Sequence, residues 1–243
     1  MTWRQRGELW IWDGSPAGPR LEFIGGNGLG TSPQLSYRRL LEALARRGWT
    51  LVCWPYLPGF DHQLLAAQAC RAFRRDRERS GASAGATLRL GHSLGCKLQL
   101  LAPDGGRGCR ATALMSFNNY GAERSVPLLA ELGPRLGVRS EFSPSPARTL
   151  ACVREGHGPP QNLLLRFRDD GIDQSAELLA ALASRPHDAS VLEELPGDHL
   201  APASAGLRQQ WLGGAGDGGR QRQIETIAAT IDGWWQRLSP GAV

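Results

Sequence analysis

The chain has 243 residues, 41% hydrophobic and 21% charged, a balance that excludes a largely disordered polymer and suits one domain with a sizeable core. Its formal charge of +5 rests almost wholly on arginine, because Lys97 is the only lysine. The densest basic stretch, Arg71 to Arg79, is interrupted by Asp76 and Glu78 at helical spacing, so it reads as a solvated, ion-paired helix face and not as a nucleic-acid surface.

Five cysteines, Cys53, Cys70, Cys96, Cys109 and Cys152, include no C-x-x-C pair, which argues against both a disulfide framework and a structural metal site. No apolar run is long enough to span a bilayer, and the N-terminus lacks the apolar centre of a signal peptide. A cytoplasmic protein without metal or cofactor is therefore expected.

Strand-like runs near residues 7–13, 20–26, 50–56, 87–92, 111–118, 162–168 and 189–196 alternate with helical patterns, the arrangement of an α/β fold around a largely parallel sheet. Between the second and third strands, Leu35, Leu40, Leu41 and Leu44 recur on one face of a helix predicted from Gln34 to Arg47. Asp61 is a candidate N-cap for a helix running to Arg79. Further helices follow Ser93, cover Gln174 to Ala183, and span about 219–238 with Ile224, Ile227, Ile231 and Trp234 as the buried stripe. The whole chain, 1–243, reads as a single domain. Residues 119–161 carry six prolines between two core strands, and an insertion of that length is expected to form a small cap or lid. GGAGDGG at 213–219 reads as a flexible loop.

The most informative residues are Gly91-His92-Ser93-Leu94-Gly95, because a strand-like run enters them and a helix-like run leaves. A serine on such a turn is presented at the end of a sheet, beside a helix N-terminus whose free N–H groups can stabilise a developing oxyanion. A serine hydroxyl needs an imidazole to take its proton and a carboxylate to orient that imidazole. Both occur downstream in the order acid, then histidine. Asp169 and Asp170 lie just past the strand at 162–168, and His199 lies in the turn after the last strand. Asp170 is favoured over Asp169 and Asp173, since Asp173 suits the cap of the following helix. Of the other histidines, His92 reads as a packed neighbour of the serine, His62 as the start of a helix, and His157 and His187 as loop residues.

Oxyanion donors are expected from the N–H of Leu94 and from the glycine-rich turn Gly25-Gly26-Asn27-Gly28-Leu29-Gly30, with Gly26 and Asn27 as candidates. A dinucleotide fingerprint beginning at Gly26 fails because Thr31 holds the last glycine position, and Lys97, between Cys96 and Leu98, does not complete a P-loop.

At this point the residues resemble the α/β-hydrolase superfamily, and the order Ser93, Asp170, His199 is that superfamily's order. More narrowly, FIGGNGLGTSPQLSYRRLLE, GHSLGCKLQLL, MSFNNY, LLLRFRDDGIDQS and GDHLAP look like the uncharacterised cyanobacterial and chloroplast family called domain of unknown function 1350. The resemblance implies an α/β-hydrolase fold but no substrate. It also implies that Asn118 and Asn119 face the site at the end of a core strand, as substrate contacts or as supports of the cap, with an ordinary strand-to-loop turn as the alternative. The oxyanion turn departs from the His-Gly beginning of many lipases and esterases.

The reading from sequence is a serine hydrolase acting on an ester or thioester. Trp54, Tyr56, Leu57 and Phe60 near the entrance lean towards a small molecule with an apolar portion. An acyltransferase would use the same three residues. A non-catalytic binding protein on the same fold is the reading from a different class.

Overall fold

The computed structural model describes residues 2–121, 141–204 and 217–238. Its centre is one eight-stranded sheet in the order β1-β2-β4-β3-β5-β6-β7-β8. The strands are β1 Arg4–Arg6, β2 Leu9–Trp12, β3 Arg20–Ile24, β4 Thr50–Cys53, β5 Thr87–His92, β6 Ala111–Met115, β7 Gln161–Phe167 and β8 Val191–Leu195. From β4 to β8 across the sheet every pairing is parallel, and β1 and β2 close one edge antiparallel. The sequence predicts one strand at 7–13. The chain forms a hairpin there instead, turning at Gly7, whose φ of 61° puts a glycine at the first central position of a two-residue turn.

Helices cover both faces. On one face lie α1 Pro33–Ser36, α2 Arg38–Ala45 and α7 Asp217–Leu238; on the other lie α3 His62–Ser80, α4 Leu94–Leu100, α5 Pro146–Gly156 and α6 Ser175–Ala183. The two-residue alternation of the strands produces this layering. Leu21, Phe23, Leu88, Leu90, Ala113, Met115, Leu163 and Leu165 meet the first set of helices, while Ile24, Val52, Leu114 and Leu164 meet the second. The predicted stripe of the last helix, Ile224, Ile227, Ile231 and Trp234, is buried.

Two helices differ instructively from expectation. The predicted helix 34–47 is interrupted at Tyr37, where φ is −119° and the ring is fully buried with its hydroxyl drawn towards the sheet; a tertiary hydrogen bond overrides local helical preference. The basic stretch 71–79 belongs to α3, capped by Asp61 as predicted. It is not wholly a solvated face: Arg74 pairs with Glu78 at the surface, but Asp76 and Arg77 turn inward. There Arg77 meets Glu22 and Asp76 meets Arg20 and Arg6, because Glu22 on β3 needs cationic partners inside the protein.

Of the insertion 119–161, residues 122–140 lie outside the described residues, as does most of the 213–219 loop. The later part of that insertion contains α5, and Val153 of this helix is buried with Leu164 and Leu178. Among the described residues no helix is long and apolar enough to cross a membrane.

Candidate active site

The C-terminal ends of β3, β5, β6, β7 and β8 meet around one cavity of about 440 Å³. Ser93 follows β5 directly with φ 54° and ψ −122°, a conformation that costs on the order of 1–3 kcal/mol for a residue with a side chain. The backbone on either side holds it there. Ser93 N–H donates to the Met115 carbonyl at the end of β6, 2.9 Å. A Cβ on Gly91 would stand 2.7 Å from the Cys96 backbone, and one on Gly95 would stand 2.1 Å from the Ile24 carbonyl oxygen. The two glycines around the serine are thus required for α4 to pack this closely on β3 and β5.

Ser93 Oγ lies 3.1 Å from His199 Nε2, and His199 Nδ1 lies 2.8 Å from Asp170 Oδ2. A carboxylate accepts, so Nδ1 carries the proton and the Nε2 lone pair faces the serine hydroxyl. The Asp170 side chain is fully buried, and its other oxygen accepts from the Ile172 N–H at 3.0 Å. Both carboxylate oxygens are therefore fixed. The neighbouring acids do other things: Asp169 is exposed, and Asp173 accepts from the N–H and hydroxyl of Ser175 at the start of α6. Asn118 Nδ2 donates to Ser93 Oγ at 3.0 Å, which occupies an oxygen lone pair and leaves the hydroxyl proton to point at His199. Asn119 also lines the cavity, but its hydrogen bonds run to the wall and not to Ser93. Its amide donates to the Pro146 carbonyl and its N–H to Gln174, so it ties the end of β6 to α5 and α6.

The support under this line is not legible in the sequence. Gly26 N–H donates to Tyr37 Oη at 2.8 Å, the Tyr37 hydroxyl is 2.8 Å from His92 Nδ1, and His92 Nε2 is 2.8 Å from the His199 carbonyl oxygen. Because that carbonyl can only accept, His92 is protonated on Nε2 and its Nδ1 accepts from Tyr37. Burial, followed by the nearby His199, pushes His92 down to about 3, so it stays neutral and the chain of bonds keeps one direction. This relay ties the glycine-rich turn, the elbow and the His199 loop together. It also commits the Gly26 N–H to Tyr37, while the Leu94 N–H, at the first position of α4, has no carbonyl within its own helix to bond. The signal available in sequence was a tyrosine in the first turn of a predicted helix; its role depends on residues far away in the chain.

The cavity is also lined by buried Lys97 and His62, by half-buried Phe142, and by the exposed apolar side chains of Phe60, Ile172 and Leu200. Among the described residues no cluster of His, Cys, Asp and Glu could hold a metal ion.

The model of the family described as "Protein of unknown function (DUF1350)" matches residues 2–216. No protein of curated function matches the sequence. Among solved structures, the chain is similar to a serine hydrolase without a lid from Xanthomonas campestris, with 14% identity, 97% of this chain and 90% of that one covered, and a TM-score of 0.59. It is similar to an esterase domain of a Rhodothermus marinus protein, with 20% identity, 94% and 92% covered, and a TM-score of 0.58. It is also similar to a thioesterase domain from the curacin biosynthetic pathway, with 13% identity, 87% and 97% covered, and a TM-score of 0.53. At such identities the likeness is one of fold, and the fold is that of the α/β-hydrolases.

Proposed function

We propose that this chain, which belongs to the family described as "Protein of unknown function (DUF1350)", is a serine hydrolase that cleaves an ester or thioester through an acyl-enzyme. The observation that carries this reading is the hydrogen-bonded line from Ser93 through His199 to Asp170, with a strained serine at its head. Ser93 Oγ attacks the carbonyl carbon as His199 Nε2 takes its proton. The carbonyl oxygen, now negative, is held by the N–H of Leu94 and that of Asn27, since the Gly26 N–H is engaged by Tyr37. His199, oriented by Asp170, gives its proton to the leaving alcohol or thiol. Water, deprotonated by the same imidazole, then attacks the acyl-enzyme and releases the acid. An alcohol or thiol in place of water would make the same residues an acyltransferase.

The exposed Phe60, Ile172 and Leu200 that line the cavity support a substrate with an apolar portion. Tyr120 and Phe142 flank residues 122–140, and both line the cavity, which supports reading the insertion as its cap.

A fluorophosphonate probe tests the reading. Wild-type protein forms an adduct on Ser93, located by peptide mass spectrometry; Ser93→Ala forms none, and His199→Ala reacts far more slowly. A folded wild-type sample that takes no label overturns the serine hydrolase and leaves a binding protein on this fold.

A further inference from the structure

The wall of the cavity carries a buried charge for which the described residues supply no counter-charge. Lys97 sits on α4 one turn beyond Ser93, on the same helix face, roughly 6 Å further along the axis. The residue is 1% exposed, and the hydrogen bond made by its ammonium goes to a neutral group, the Pro144 carbonyl at 3.0 Å. Among the described residues no carboxylate pairs with it. The ammonium lies 5.9 Å from the centre of the Phe142 ring, and Phe142 in turn lies against His62, their ring centres 4.4 Å apart. His62 is 2% exposed, and neither of its ring nitrogens has a hydrogen-bond partner among the described residues. The backbone of Gly59 approaches the ring without meeting hydrogen-bond geometry. Lys97, Phe142 and His62 all line the same cavity as Ser93.

A buried cation bonded only to a neutral carbonyl, and a buried imidazole whose nitrogens find no hydrogen-bond partner among the described residues, are each costly. A ligand bearing a carboxylate would satisfy both. We infer that Lys97 and His62 form an anion subsite of the proposed hydrolase, selecting esters or thioesters that carry a carboxylate a few bonds from the scissile carbonyl. This rests on the serine hydrolase reading and deepens it. Burial pushes Lys97 down to about 8, so it keeps its charge at neutral pH, while burial and then the Lys97 charge push His62 down to about 4, so it remains a neutral donor. With exposed apolar residues and a buried cation on the same wall, the cavity fits an amphipathic substrate.

The carboxylate can lie on the acyl side or on the alcohol side, and matched ester pairs separate the two. The first pair is the mono-4-nitrophenyl ester of glutaric acid and its carboxamide; the second is 3-(butyryloxy)benzoate and its benzamide. We expect kcat/KM to favour the acid over the amide by roughly tenfold or more in one pair, the size of a charge-assisted hydrogen bond. Lys97→Met should bring that ratio down towards one, while Arg148→Gln, at the exposed start of α5, leaves it unchanged. The pair showing the preference identifies the side. Ratios at or below one in both pairs, measured on wild-type protein, overturn the subsite even where a Lys97 variant does not fold; so does a preference that survives Lys97→Met or Lys97→Gln. If no ester is cleaved in a Ser93-dependent way, the hydrolase reading has failed by itself. Calorimetry with glutarate then decides the subsite: binding to wild type that is lost in the Lys97 variant sustains it, and absent or unaltered binding overturns it.

Discussion

Two groups of buried charges lie at opposite ends of the same strands. Towards the start of β3 and β5, Glu22 is wholly buried and meets Arg20, Arg77 and Arg89; Asp104 takes a second bond from Arg89, and Asp76 bridges Arg20 and Arg6. Every charge there meets an opposite one. At the other end, Lys97 meets a carbonyl and His62 meets no hydrogen-bond partner among the described residues, although both are as buried as the arginines. The first group is charge-paired within the protein, although Arg6 Nε, Arg20 Nη2 and Arg89 Nε make no hydrogen bond among the described residues, and it joins β1, β3, α3, β5 and the loop after α4. The second is left open on a cavity, next to a serine in a strained conformation. Closed polar groups specify a structure, whereas open ones need something from outside.

The largest effects are expected at the open end and in rate. Asp170→Asn should lower kcat by about 10^4-fold, because an amide can hold His199 in the wrong tautomer. Asp169→Asn and Asp173→Asn should change kcat only a few-fold, and steady-state kinetics with a reactive ester reads all three; a larger loss at Asp173 would reassign the orienting acid.

The closed end should respond in stability. Glu22→Gln leaves Arg77 without a carboxylate and takes one of two carboxylate partners from Arg20 and from Arg89, and should cost about 3–5 kcal/mol in denaturant unfolding, with the rate per folded molecule preserved. If Glu22→Gln unfolds at the wild-type midpoint, the group is not the closed network described above.

Acid sharpens the contrast further. Burial places His62 at about 4, His92 at about 3 and His157 at about 4, all below the unfolded value of about 6.5. Below that value the unfolded chain binds protons that the folded chain refuses. The stability these neutral histidines contribute is therefore complete above about pH 6.5 and is lost as pH falls towards 4, with each contributing up to about 1.4 kcal/mol per pH unit. Thermal unfolding between pH 7 and 4.5 measures this, and His157→Gln should flatten the slope by about one proton.

The smallest expected effect has the opposite sign to that at Glu22. Lys97→Met removes a buried charge that no carboxylate among the described residues compensates, so it should leave unfolding stability unchanged or raise it by about 1 kcal/mol. A loss as large as that of Glu22→Gln would mean that Lys97 belongs to a closed network after all.

Much of the site was legible before folding because its signals are local. The glycines around Ser93 mark a turn in which backbone approaches backbone, and an acid and a histidine each follow a strand-like run. Asp173 as the Ser175 partner and Asp61 as a helix cap are likewise decided within a few residues. The edge hairpin was less legible, because three-residue β1 is too short for alternation to separate it from β2.

The sequence by itself determined the α/β alternation, the elbow, and the chain order of serine, acid and histidine, because period, turn chemistry and strand ends are properties of neighbouring residues. Only the tertiary structure decided that Tyr37 would leave its helix to bridge Gly26 and His92, and that Asp76 and Arg77 would turn inward towards Arg20 and Glu22. It alone decided that the single lysine would end beside His62 in the cavity of Ser93, with no carboxylate partner among the described residues. Those outcomes depend on which distant groups share a low-dielectric interior, where an unpaired polar group costs far more than in water, and the spacing of residues along the chain does not encode that.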